Sequence, residues 1–310
     1  MFNAEPQTVE EDNENLFSNY RFYDYKEDFN SCRSIKDVIA KTIKRVEQRN
    51  KDLKNTSGMD DVLKTGFNSL DLHNGELCVL SSKPAMGKSA FAFSLIKKIA
   101  VDKKLPVGLI TLGNYDDITV GQRLTAMCSG VAAFKVQSGM LRPSEIDSVL
   151  KAASKIYESP VYYYNEPNSS YPAVEEIIKD MVNVLHVKFV IIDGFEFFKE
   201  LVDSEKSDYR DTLNNLLIDF HLLTGELSVP IMLVVDLPEV DSSTNEQPTL
   251  QDFKRYMCIP FIADKVIFVH RDRVNCESSC NEAKVIIAKD EFDIPREIDI
   301  KFHQPTSLFC

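Results

Sequence analysis

The sequence predicts an α/β fold: a mostly parallel central sheet with helices on both faces and antiparallel strands at one edge. Three observations carry that prediction. Short apolar runs alternate with segments of helical periodicity from residue 76 to residue 236. One strand-to-helix junction contains Gly87-Lys88-Ser89, and three strand-like runs crowd together after residue 265.

Composition bounds the alternatives. The 310 residues, 44% of them hydrophobic, suffice for one large α/β domain with attachments or two small domains. No apolar run approaches the ~20 residues that span a bilayer, so no membrane association is expected. Met1-Phe2-Asn3-Ala4-Glu5 opens neither a basic nor an apolar export segment. Seven cysteines without such a segment read as reduced thiols, and the expected location is cytoplasmic. A net charge of −12 argues against a simple nucleic-acid binder, whose affinity rests on Lys and Arg contacts to phosphate.

Residues 1–33 are expected to form an acidic-aromatic tail. Glu5, Glu10, Glu11, Asp12, Glu14, Asp24, Glu27 and Asp28 outnumber Arg21 and Lys26, with Phe17, Tyr20, Phe22, Tyr23, Tyr25 and Phe29 interleaved. Such a tail is either disordered, packed on its own domain, or docked in a basic, apolar groove of a neighbour. A helix is expected over 34–56. Ser34 and Asp37 form a capping box. Ile35, Val38, Ile39, Ile43 and Val46 make an apolar stripe, opposite Lys41, Lys44, Arg45 and Arg49. That stripe must be buried on the chain's own core or on a neighbour.

The domain proper is expected over 57–310. A strand over 76–81 leads into Ser82-Lys83-Pro84-Ala85-Met86-Gly87-Lys88-Ser89, and a helix follows. Strand, tight turn, Gly-Lys-Ser and helix make a phosphate-binding loop. Backbone N–H groups at the helix start cradle phosphate oxygens, Lys88 reaches the terminal phosphates, and Ser89 ligates Mg²⁺. Ser82 stands where the general pattern has its first glycine. Strands are then expected over 106–112, 161–164, 189–193 and 231–236, and helices over 118–129, 143–157, 172–185 and 208–227. His221, in the last of these helices, is expected to pack in the core. Asp193 ends an apolar strand, as does the acid that holds the Mg²⁺ shell opposite a phosphate loop. Strands over 266–269, 284–288 and 297–302 complete the antiparallel edge. Cys276 and Cys280 lack a second pair of ligands at zinc spacing and are expected to be free thiols in a hairpin.

With these elements placed, the chain resembles the C-terminal RecA-like motor domain of DnaB-type replicative DNA helicases. Thr65-Gly66-Phe67 with Leu70-Asp71, and Lys83 through Ala92, are similar to that family's entry and nucleotide motifs. Leu250-Gln251-Asp252-Phe253-Lys254, Ala263-Asp264, His270-Arg271-Asp272 and Ile286-Ile287-Ala288-Lys289 resemble its later ones. The family also commonly lacks the first glycine of the loop, which accounts for Ser82. The resemblance implies a P-loop NTPase fold, ATP or ADP with Mg²⁺ as cofactors, and a role in DNA replication or unwinding. The implied nucleotide set is Lys83, Pro84, Ala85, Met86, Gly87, Lys88, Ser89, Ala90 and Arg123, with Ser89 and Asp193 toward the metal. It also implies self-association or a helicase partner through the 34–54 helix. The family's N-terminal helical domain is expected to be absent, with the tail in its place.

Three catalytic positions depart from the family. Its water-activating Glu falls on Gly113, its γ-phosphate-sensing Gln on Asp236, and its arginine finger on Glu291, beside Lys289. Asp116, Asp117, Glu196 and Lys289 remain as candidates for catalysis, and the joint loss of Glu, Gln and Arg argues against fast hydrolysis. Restoring Glu at 113 and Arg at 291 is expected to raise it. The segments matching the DNA-holding loops are acidic, leaving single-stranded DNA a candidate partner only. The alternative is a catalytically degenerate scaffold or nucleotide sensor that binds a partner protein, such as a true helicase.

Overall fold

Of the 310 residues, the computed structural model describes 62–113, 115–204, 208–237, 246–256, 258–271 and 280–310, with Ile35, Ile39 and Ile43. The expected tail, most of the 34–56 helix, Cys276 and most of the second DNA-loop segment lie outside the described residues. Contacts divide the chain between Met59 and Asp60, and the second unit holds the sheet.

That unit begins with a short hairpin, β1 (Val62–Lys64) and β2 (Asp71–His73), paired antiparallel. Next come β3 (Leu77–Ser82), α1 (Lys88–Ile96), β4 (Val107–Thr111), α2 (Asp117–Ser129), α3 (Ala133–Ser138) and α4 (Pro143–Tyr157). The chain continues through β5 (Val161–Asn165), α5 (Tyr171–Asn183), β6 (Phe189–Asp193), α6 (Lys199–Asp203), α7 (Tyr209–Leu227) and β7 (Ile231–Asp236). It closes with α8 (Cys258–Ile262), β8 (Lys265–Arg271), β9 (Cys280–Asp290), β10 (Arg296–His303) and β11 (Leu308–Phe309).

The main sheet has the order β11-β10-β9-β8-β3-β7-β6-β4-β5. From β8 through β5 the pairings are parallel, and from β8 through β11 they are antiparallel. The expected architecture is therefore the observed one. Every residue of β3, β4 and β6 is buried, because helices cover both faces and no polar alternation is needed. One core layer sets α1, α2 and β11 against the sheet, and the other sets α5, α6, α7 and α8 against its opposite face. Six elements, β1, β2, β11, α3, α6 and α8, have no counterpart among the sequence-based expectations. Each is too short for periodicity to declare it.

Parallel register gathers the strand ends that matter. Ser82 pairs with Asp236 across β3 and β7, Thr111 with Asp193 across β4 and β6, and Thr111 with Asn165 across β4 and β5. Residues scattered over the chain thereby meet at one edge of the sheet, the carboxyl edge where α/β folds bind ligands.

One buried charge anchors the opposite edge. Lys265 is 1% exposed, and its Nζ lies 2.7 Å from Glu76 Oε1 and 3.6 Å from Asp290 Oδ2. It also donates to the Asp71 carbonyl at 2.8 Å, tying the β1–β2 hairpin to β8. Arg296 Nη1 reaches the same Asp290 oxygen at 3.2 Å. His221 does not pack in the core: it sits half-exposed, Nδ1 3.4 Å from Asp264 Oδ2. Its place in α7 is off the buried stripe of Leu217, Phe220 and Leu223.

Replacing Lys265 leaves two buried carboxylates sharing Arg296, which pairs with Asp290 alone of the two. Lys265→Met should lower unfolding stability by about 3–5 kcal/mol, read from urea denaturation.

Candidate nucleotide-binding site

Ser82 is the last residue of β3, buried, and outside the left-handed backbone region. A glycine is therefore not required there, and the Oγ caps the following turn by donating to the Lys83 carbonyl at 2.9 Å. The turn itself needs two left-handed residues, Ala85 (φ 61°) and Gly87 (φ 102°). At Gly87 a Cβ would press on the Phe309 ring at 3.2 Å, so only glycine fits without displacing β11. Lys83 and Met86 are buried, while Pro84 and Ala85 face solvent. Ala90 is buried in the first turn of α1.

The outward carbonyls of the turn are held. Arg271, at the end of β8, donates from Nε to the Met86 carbonyl at 2.8 Å and from Nη2 to the Ala85 carbonyl at 2.6 Å. Its guanidinium lies 4.1 Å from the centre of the Phe302 ring. With those carbonyls held and the Met86 N–H donated to the Lys83 carbonyl at 3.3 Å, the amide hydrogens at the start of α1 are the ones left for an anion. Nothing local in the sequence signals this role, since 185 residues separate Arg271 from Met86.

Below the loop, Ser89 Oγ donates to Asp193 Oδ1 at 3.3 Å. Asp193 is 2% exposed, and its Oδ2 accepts no hydrogen bond from the described residues. Burial raises its pKa, opposed by Ser89, Lys88 and Arg123. A buried carboxylate with an open oxygen beside a hydroxyl is the donor set of a hydrated divalent cation. These residues fit Mg²⁺ and a phosphate chain. Arg123, in α2, stacks 4.3 Å above the Tyr115 ring and is close enough for Asp193 to feel its charge.

Lys88 Nζ forms an ion pair with Asp236 Oδ1. Burial works to lower the lysine's pKa, yet Asp236, Glu196 and Asp193 together carry it above the ordinary value. Glu196 follows β6 in a single 3₁₀ turn, with Oε2 buried and accepting no hydrogen bond from the described residues. Burial pushes its pKa from 4.5 to about 7, with Asp236 and Asp193 adding to the push and Lys88 opposing it. Of the catalytic candidates, Glu196 alone is gathered around Lys88.

The other candidates are committed elsewhere. Asp116 is exposed and caps α2, accepting from the Thr119 N–H at 2.7 Å. Asp117 accepts from Asn165 Nδ2 at 3.5 Å. Lys289 pairs with Val266 at the start of β8, level with Val79, and donates to the Ala263 carbonyl at 2.8 Å. Its ammonium is also 2.8 Å from Glu291, so this pair is neutralised within the chain and away from the phosphate loop.

Gly113 corrects the expectation that Glu can be restored there. Its φ is 91°, and a Cβ would meet Pro167 side-chain carbons at 2.9 and 3.0 Å and its Cα at 3.2 Å. Asn165 fixes this conformation, accepting from the Gly113 N–H at 3.1 Å and from Thr111 at 2.9 Å. Any side chain at 113 is therefore strained there and pushes Pro167 from its place.

A phosphate loop, an acid on a nearby strand and this sheet order define a RecA-like helicase ATPase fold. The family model described as DnaB-like helicase C terminal domain matches residues 62–310. The chain belongs to that family. It is 24% identical to the replicative DNA helicase DnaB of Treponema pallidum, over 89% of this chain and 61% of that protein. It is 25% identical to a probable plasmid replicative DNA helicase of Chlamydia muridarum, over 79% of this chain and 56% of that one. The chain thus spans little more than half the length of these relatives. Among solved structures, an isolated ATPase domain superposes with a TM-score of 0.75 at 18% identity, covering 90% of this chain and 98% of that one. A DnaB-like replicative helicase, solved in a study of its interactions with primase, gives 0.69 at 19% identity over 76% and 57% of the two chains.

Two consequences are measurable. Gly113→Ala forces a left-handed alanine against Pro167 and should cost about 1–3 kcal/mol of stability by denaturant titration. Glu196 has a folded-state pKa above its unfolded one, so the folded chain holds an extra proton between pH 4.5 and about 7. Stability therefore falls as pH rises through that window. Glu196→Gln should gain on the wild type in melting temperature as pH rises through it, and match it below.

Proposed function

We propose that this chain is a nucleotide-binding DnaB-type motor domain that takes MgATP or MgADP on the loop from Lys83 to Ala90. Its place would be a replication or DNA-unwinding assembly. The observation that carries the reading is the loop with its left-handed Ala85 and Gly87 set over Ser89 and the buried, half-satisfied Asp193. Amide hydrogens at the start of α1 would hold phosphate oxygens, with Lys88 beside the terminal ones. Ser89 and Asp193 would hold Mg²⁺, which supplies charge neutralisation when bound. Arg123 would lend positive charge near Asp193. Glu196 is the carboxyl placed to orient water, and its raised pKa suits a base acting near neutrality.

Association through the 34–54 helix is part of the same reading. Ile35, Ile39 and Ile43 are helical, four residues apart, and 71%, 53% and 51% exposed. Such a stripe fits self-association or a helicase partner. The acidic tail is proposed to dock on a neighbour, and single-stranded DNA remains a candidate ligand for the assembled form. A cytoplasmic location accords with these roles, and no described helix is long and apolar enough to cross a membrane.

The test is nucleotide binding by calorimetry together with steady-state ATP turnover, with and without single-stranded DNA. The wild type should bind MgADP or MgATP, and Lys88→Ala should abolish binding. Turnover stimulated by DNA and lost in Lys88→Ala would establish a motor. Binding without turnover would favour the scaffold, and no binding at all would overturn the reading.

A further inference from the structure

We infer that Asp236 makes this site selective for nucleoside diphosphates over triphosphates, its carboxylate taking the place beside Lys88 that a third phosphate would occupy. The inference rests on the nucleotide binding proposed above and specifies its ligand.

Geometry carries it. The β3–β7 register sets Asp236 directly opposite Ser82, the residue from which the phosphate loop springs. From there its carboxylate crosses to Lys88 and pairs with the ammonium. A phosphate-loop lysine ordinarily divides its donors between the second and third phosphates. Here one donor is already spent on a fixed anion of the chain itself. The lysine keeps donors for a second phosphate, whereas a third must displace Asp236 or lie against it.

The surroundings sharpen the penalty. Asp193 is buried beside Ser89, and Glu196 carries a buried oxygen without a hydrogen bond from the described residues. Both carboxylates act electrostatically on Lys88, as Asp236 does. Three acids therefore share one ammonium at the end of the site where a triphosphate adds charge. Diphosphate binding leaves the Asp236–Lys88 pair intact. Triphosphate binding breaks it and brings like charges together, where separations near 4 Å weigh heavily. Asp236 is itself more than half exposed, so removing its charge does not open the core.

The experiment is calorimetric titration of the full chain with MgADP and with the β,γ-imido analogue of MgATP, which is not hydrolysed. The wild type should bind MgADP tighter by about tenfold or more, the ratio that a single unfavourable charge contact commands. Asp236→Asn keeps the size and removes the charge. It should move the affinity ratio toward the triphosphate analogue by about tenfold, with an unchanged melting temperature. Lys88→Ala should lose both ligands, placing them on the loop. Equal or tighter binding of the analogue by the wild type overturns diphosphate selectivity and leaves nucleotide binding standing. A ratio unmoved by Asp236→Asn removes Asp236 as its cause. Failure of both ligands to bind wild type and variant alike overturns the parent reading and this one with it.

Discussion

In a parallel sheet each inner strand is held level with both neighbours by evenly spaced ladder hydrogen bonds. In this chain β3, buried along its whole length, lies between β7 and β8 and pairs in continuous register with each. The site depends on that constraint. It brings Ser82 level with Asp236 and, one and two strands further on, sets Asp193 and Thr111 at the same edge. Asp236, Asp193 and Glu196, which act on Lys88, sit at or just after the ends of β7 and β6. The chemistry is thus assembled at the carboxyl ends of strands whose remaining residues are buried in the core.

Charge is distributed unevenly along that frame. At one edge Lys265 is surrounded by Glu76, Asp290 and the Asp71 carbonyl, and Arg296 completes the set. Those charges are matched, and they join a short hairpin to the sheet. At the other edge one lysine faces three carboxylates, and part of that charge has no partner among the described residues. Matched charge at one end serves architecture. Unmatched charge at the other is typical of a place where ions come and go.

Much of this was legible in the sequence. The core strands and the long helices announced themselves through apolar runs and periodicity, and the loop from Ser82 to Ser89 through its residues alone. Short elements such as β11 and α8 carried too few residues for a period to emerge. The fate of individual polar groups was less legible. Asp236 read as a lost sensor of the third phosphate, and nothing local signalled its ion pair with a lysine 148 residues away. Asp116 read as a spare acid and is a helix cap, because capping is decided by the N–H three residues on. Gly113 read as a missing catalyst, while Pro167 and Asn165, which dictate its backbone, belong to the next strand and its loop. In each case the deciding partner was distant in sequence or used a backbone atom that carries no residue identity.

The floor beneath the phosphate loop has a temporal meaning. Phe309 closes against Gly87 and Phe91, and its N–H donates to Ser94, 215 residues earlier in the chain. During synthesis the loop emerges early, with its strand β3 still lacking both neighbours, β7 and β8. The ring that seats Gly87 leaves the ribosome after every strand of the main sheet except its own. Long-range closures of this kind are the slow steps of folding. The nascent chain therefore carries the residues of the loop long before the ring that packs against Gly87 joins them.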